Sequence, residues 1–219
     1  MIFTDDLLEE ITHQTNLYAH REKNIPDWKV SKAEIEQFLG ICLLSGYHNL
    51  PEEHHYWSTQ PDLGVKMVSS TMSKNRFLSI KRHLHFADNQ ALPEGNKFAK
   101  ISPVYDALNK TLVKFGIFHR LLSIDESMVP YYGRHSGKMY IKGKPIRFGY
   151  KLWSLCASNG YPYHLIMYQG KDLEAPKQPL GSRVINRMVD VIVTESAAVH
   201  HEVYFDNFFT SYDLMTYKL

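Results

Sequence analysis

Cysteine is nearly absent: Cys42 and Cys156 are the only two in 219 residues. Two thiols cannot build a disulfide scaffold or a four-cysteine zinc module, and their scarcity fits a reducing compartment. No run of about eighteen apolar residues occurs, so no membrane-spanning helix is expected. The opening Met1-Ile2-Phe3-Thr4-Asp5-Asp6 lacks the basic and apolar regions of a secretory signal. Secretion is therefore not expected, and the Asn109-Lys110-Thr111 sequon is expected to stay unmodified. The nucleophile elbow Gly-x-Ser-x-Gly is missing. Gly133-Arg134-His135-Ser136-Gly137-Lys138 approximates a phosphate loop, but its glycines stand one residue too close and Met139 replaces the required Ser or Thr. Nothing in the pattern points to a small-molecule substrate.

What is present suffices for a globular core, with 44% hydrophobic and 22% charged residues. The length suits one large domain or two small ones, at ~100–200 residues each. The net charge of +2 hides a strong asymmetry. Residues 1–60 carry ten acids against four bases, and residues 61–120 carry ten bases against four acids. From Pro130 to Lys151 six cations occur with no acid: Arg134, Lys138, Lys142, Lys144, Arg147 and Lys151. Such a stretch is either a solvated face or the footprint of an anionic partner. Its interleaved Tyr131, Tyr132, Tyr140, Phe148 and Tyr150 suit a nucleic-acid groove, or equally the core of a sheet.

The first 120 residues read as helices. Thr4 caps a segment with Asp5 and Asp6 in its first turn. Ser31 and Glu34 form a capping-box pattern before Ile35, Phe38, Leu39, Cys42 and Leu43. Ser73 opens a third segment, and Ser102-Pro103 a fourth that ends at Gly116. After Arg120 the pattern changes. Leu121 to Asp125, Tyr150 to Ala157, Tyr163 to Tyr168 and Val203 to Asp206 read as strands. An amphipathic helix from Ser182 stands before the last strand, after a loose Lys171–Gly181 connector, and Leu214 to Leu219 begins another helix. The expected architecture is a helical domain over 1–120 followed by an α/β unit over 121–219.

Two strands that each end in aspartate are the most informative feature. If the helix crosses over to place the last strand parallel to the first, equivalent positions lie ~4.8 Å apart and Asp125 meets Asp206. Adjacent carboxylates repel unless a cation lies between them, and Mg²⁺ is the usual partner of such oxygen sets in phosphoryl displacement. The alternative is that each aspartate caps a turn. The histidines carry less: His83 and His85 lack the spacing of a zinc pair, and His54-His55 and His200-His201 have no cysteine or carboxylate at ligand spacing.

Several blocks together resemble the piggyBac transposase family. Ser123-Ile124-Asp125-Glu126-Ser127-Met128, Gly133-Arg134, Met139-Tyr140-Ile141 with Lys144-Pro145, and Gly149-Tyr150-Lys151 are similar to its first catalytic block. Pro179-Leu180-Gly181 resembles the start of the following helix, and Phe205-Asp206-Asn207-Phe208-Phe209-Thr210-Ser211 the second block. Phe38-Leu39-Gly40-Ile41, Met72-Ser73-Lys74-Asn75-Arg76-Phe77 and Ser102-Pro103-Val104 resemble the family's dimerisation and DNA-binding region.

The resemblance implies an RNase H-like catalytic core with mixed sheet and flanking helices, three metal-binding aspartates and Mg²⁺, acting on DNA in the nucleus. Asp125 would be the first catalytic and metal-binding aspartate and Asp206 the second, with the six cations beside them on DNA and the helical part in a homodimer. The third aspartate lies well beyond the second in relatives, whereas only 13 residues follow Asp206. The third aspartate and the C-terminal zinc module are therefore expected to be absent, and catalysis impaired. The alternatives are a domesticated, non-catalytic DNA-binding protein and an inert transposon remnant.

Overall fold

Thr4 opens the first helix, α1 (Asp5–Arg21), by accepting the Leu7 N–H on its hydroxyl at 3.4 Å, with Asp5 and Asp6 at the positive end of the helix dipole. The computed structural model describes residues 3–171, 177–196 and 200–217. Leu7, Ile11, Thr15 and Ala19, four residues apart, form the buried stripe of α1. A complete capping box between Ser31 and Glu34 starts α2 (Lys32–Tyr47). Its buried residues are Ile35, Phe38 and Ile41, while Cys42 and Leu43, expected on the inner face, are exposed. Phe38 stacks on Phe77 of α4 (Lys74–His83) at 4.7 Å, on the same buried face as Ile35 and Ile41. A 3₁₀ turn (Glu53–Trp57) and the short α3 (Lys66–Thr71) lie between them. Neither is long enough to show a period in the sequence.

The chain divides into two units. One comprises Phe3–Pro93 with Ala99–Val104, and the other Glu94–Phe98 with the residues from Tyr105 onward. Helix α5 (Ser102–Phe115) starts in the first and continues into the second.

The second unit is built on β1 (Leu121–Pro130), β2 (Met139–Tyr140), β3 (Phe148–Ala157), β4 (Pro162–Met167) and β5 (Glu202–Tyr204). The sheet order is β2-β3-β1-β5, with β4 also paired to β3. All pairs are antiparallel except β1 with β5, which are parallel. Helix α6 (Leu180–Glu195) precedes β5 and provides the crossover, and α7 (Tyr212–Tyr217) follows it. Residues 172–176 of the expected connector and the last two of the expected final helix lie outside the described residues.

β1 was expected to stop at Asp125, but it runs five residues further. β5 ends opposite Ser123, whereas β3 stays paired with β1 from Leu122↔Ala157 to Pro130↔Gly149. At that far end the backbones crowd: a β-carbon on Gly149 would stand 1.9 Å from the Val129 carbonyl oxygen, so only glycine fits. Leu122 and Ile124 of β1, Trp153, Leu155 and Ala157 of β3, and Val184, Ile185, Met188 and Ile192 of α6 close one core around Tyr163 and Phe209. Burying a side chain of this size contributes ~1.5–3 kcal/mol, so each of these residues stabilises this unit substantially.

Candidate active site

The parallel register pairs Leu121 with Glu202, Leu122 with Val203 and Ser123 with Tyr204. Continued two residues past the end of β5, it sets Asp125 level with Asp206. Carboxylate oxygens of Asp125, Glu126 and Asp206 lie within 4.8 Å of one another. Asp125 is on a strand still paired to β3 (Asp125↔Ser154), and its Oδ1 accepts the Glu126 N–H at 2.7 Å.

Asp206 sits in a loop held from three sides. Its Oδ1 accepts the Phe208 N–H at 2.9 Å, and its carbonyl accepts the Phe209 N–H at 3.2 Å. Phe209 is fully buried in the α6–sheet core. Gly181, in the first turn of α6, has room for no side chain: a β-carbon would lie 2.5 Å from the Phe208 carbonyl oxygen. Ser182 and Ser211 share a hydroxyl hydrogen bond of 2.7 Å across the same junction. The loop is thus clamped to the start of the crossover helix, which fixes the reach of Asp206 toward β1.

Two cations compensate the cluster. Lys144 Nζ pairs with Glu126 at 2.9 Å. Burial acts to raise the Glu126 carboxyl, but the Lys144 hydrogen bond and the Lys151 and Lys144 charges outweigh it, so the group is held below its ordinary value. The same hydrogen bond raises the Lys144 ammonium. Lys151 is half-buried, its Nζ 3.8 Å from the Trp153 ring centroid and 5.1 Å from that of Phe208. Burial lowers its ammonium, against the charges of Glu126, Asp125 and Asp206.

The six cations therefore do not form one free strip. Lys144 is tied to an acid that lies only four residues before the basic stretch begins, and Lys151 is packed among aromatics. Among the described residues, Arg134, Lys138, Lys142 and Arg147 take no part in an ion pair. Lys138 Nζ lies 6.0 Å from the centroid of the exposed Phe148 ring, which pairs with the exposed Tyr140 ring at 4.9 Å. Sequence reasoning passed over Glu126. The doublet Asp125-Glu126 was visible, but strand alternation sends neighbours to opposite faces, and only the departure of β5 lets both carboxylates meet. His83 is a core residue packed on Trp28, and His85 stacks on Tyr18 at 3.5 Å. His54-His55 differ from expectation, because Glu52 joins them within 4.8 Å.

The family model described as Transposase IS4 matches residues 1–219. The human PiggyBac transposable element-derived protein 3 is 36% identical over 217 residues, covering 98% of this chain and 36% of that protein. The human PiggyBac transposable element-derived protein 2 is 33% identical over 218 residues, 99% of this chain and 36% of its own length. The chain belongs to the piggyBac transposase family. It spans about a third of the length of these curated relatives. A piggyBac transposase in a cryo-EM synaptic complex with hairpin DNA superposes with a TM-score of 0.82 at 24% identity, covering 97% of this chain and 45% of that one. That likeness identifies the mixed sheet and its helices as the RNase H-like fold of the family. Among the described residues no helix is long and apolar enough to cross a membrane.

Proposed function

We infer that the chain carries two of the aspartates of a metal-dependent DNA strand-cleaving and strand-joining site, with a DNA-binding surface beside them. The observation that supports this most is the convergence of Asp125 and Asp206 at the end of the parallel strand pair. Three carboxylates without a nitrogen or sulfur donor are a hard-oxygen set, which suits Mg²⁺. Asp125 and Asp206 would hold the ion, and Glu126 would stay paired with Lys144 beside it. Bound there, Mg²⁺ supplies Lewis-acid stabilisation of phosphoryl oxygens and activation of an attacking oxygen. Lys151 offsets the repulsion among the acids, and Arg134, Lys138, Lys142 and Arg147 hold the backbone of the DNA. Contacts of that kind orient a duplex without reading its sequence. A nuclear location and a homodimer belong to the same reading.

A second reading is a DNA-binding role without catalysis, favoured by the four cations of the basic stretch that take no part in an ion pair among the described residues. Mn²⁺ titration followed by electron paramagnetic resonance tests the site. Wild type should take up one ion, and Asp125→Asn or Asp206→Asn should weaken uptake at least about tenfold. Unchanged uptake in both variants would refute the metal assignment.

A further inference from the structure

We propose that Glu52, His54 and His55 form a second cation site, specific for a zinc-class transition ion, in the first unit of the chain. A ring nitrogen of each histidine and a carboxylate oxygen of Glu52 lie within 4.8 Å of one another. His54 Nδ1 and Glu52 Oε2 are 3.2 Å apart. In a tetrahedral zinc site with bonds of ~2.0–2.1 Å, neighbouring donor atoms stand roughly 3.3 Å apart, so this pair already has the required bite. The two imidazoles lie edge to face at 4.6 Å. His55 adds an independent sign: its Nδ1 is shielded from solvent and has no hydrogen-bond partner. A shielded imidazole nitrogen without a partner calls for one, an ordered water or an ion, and the neighbouring Glu52 and His54 favour the ion.

The backbone that presents these groups is fixed. Glu52 stands at the N-terminal boundary of the Glu53–Trp57 turn, its carbonyl accepting the His55 N–H at 3.1 Å, and in a 3₁₀ turn residues three apart lie above one another, which brings Glu52 and His55 to one side. The intervening residues anchor the turn elsewhere: Glu53 pairs with Lys81, the Tyr56 hydroxyl donates to the His48 carbonyl, and Trp57 Nε1 donates to the Met72 carbonyl at 2.6 Å. The site is therefore preorganised.

Its chemistry differs from that of the carboxylate cluster. Two imidazole nitrogens and one carboxylate oxygen suit Zn²⁺, Ni²⁺ or Cu²⁺ rather than Mg²⁺, and three protein ligands leave a fourth position for water. Bound metal would lock the turn between α2 and α3.

Calorimetric titration of the full chain with Zn²⁺, and with Co²⁺ followed by visible absorption, tests the site. The experiment is run in the Asp125→Asn, Asp206→Asn background to silence the carboxylate cluster. The expected result is one ion per chain with tetrahedral cobalt bands, weakened at least about tenfold by Glu52→Gln and more by the double variant His54→Ala, His55→Ala. Glu52 and His54 are exposed, so Glu52→Gln keeps the test valid if the double variant misfolds. No uptake, uptake unchanged in Glu52→Gln and the double variant, or uptake lost instead in His200→Ala, His201→Ala overturns the proposal. A bare His54–Glu52 ion pair, without affinity for zinc, would give the first of these results.

Discussion

An ammonium 3.8 Å from the centre of the Trp153 ring and within the field of three carboxylates is under two constraints at once. The rings of Trp153 and Phe208 attract the cation and shield it from water, and the acids restore part of the charge stabilisation that burial removes. Lys151→Met should keep the packing, because a flexible apolar chain of similar reach fills the space between the rings. Its unfolding free energy should change by no more than about 1.5 kcal/mol. Removing the positive charge should raise Mn²⁺ affinity several-fold, read by the same paramagnetic titration, since one competitor for the carboxylates is gone. Lys151→Arg should preserve the wild-type affinity. Equal Mn²⁺ affinity in wild type and Lys151→Met would show that the lysine does not act on the cluster.

Among the elements, the junction between α6 and the Asp206 loop sets the geometry of the site. Gly181→Ala pushes a β-carbon onto backbone atoms of Phe208 and Phe209, which cannot rotate away as a side chain would. The substitution should cost ~1–3 kcal/mol in thermal or denaturant unfolding and weaken Mn²⁺ uptake as Asp206 is displaced. In the helical unit, Glu34 both completes the cap of α2 and pairs with Arg76 of α4 at 2.6 Å. The Arg76 hydrogen bond holds the Glu34 carboxyl down at about 2, against 4.5 for the free group. A carboxyl lowered by folding stabilises fully above its unfolded value, and that stabilisation is lost as pH falls from 4.5 toward 2. Glu34→Gln should flatten the dependence of Tm on pH across that window and leave the slope above pH 5 unchanged. The capping box was legible because it is local, with four consecutive residues supplying every partner. The Arg76 pairing was not, since the two residues are 42 apart in sequence and only the packing of α2 on α4 joins them.

On the scale of the whole molecule, the proposed DNA contact rests on the cations of the basic stretch that take no part in an ion pair among the described residues. Arg134→Ala, Lys138→Ala, Lys142→Ala and Arg147→Ala together should lower duplex affinity and flatten its salt dependence by about 0.9 in log–log slope per lost phosphate contact. Lys144→Ala should change the slope little, because Glu126 already neutralises that charge. An unchanged slope in the quadruple variant would mark the stretch as a solvated face. The sequence by itself determined the helical first part, the strand-rich second part and the crossover helix before the last strand. Caps, turns and hydrophobic period act over a few residues, and Asp125 and Asp206 were legible as a pair because both close apolar runs that the crossover makes parallel. Tertiary structure alone decided that β1 continues past Asp125, because β3 supplies a partner after β5 leaves. It also decided that Glu126 joins the two aspartates, and that Lys144 and Lys151 lie at the cluster while Arg134, Lys138, Lys142 and Arg147 take no part in an ion pair among the described residues. Those outcomes depend on distances between residues far apart in the chain, which burial and strand register fix and no local pattern encodes.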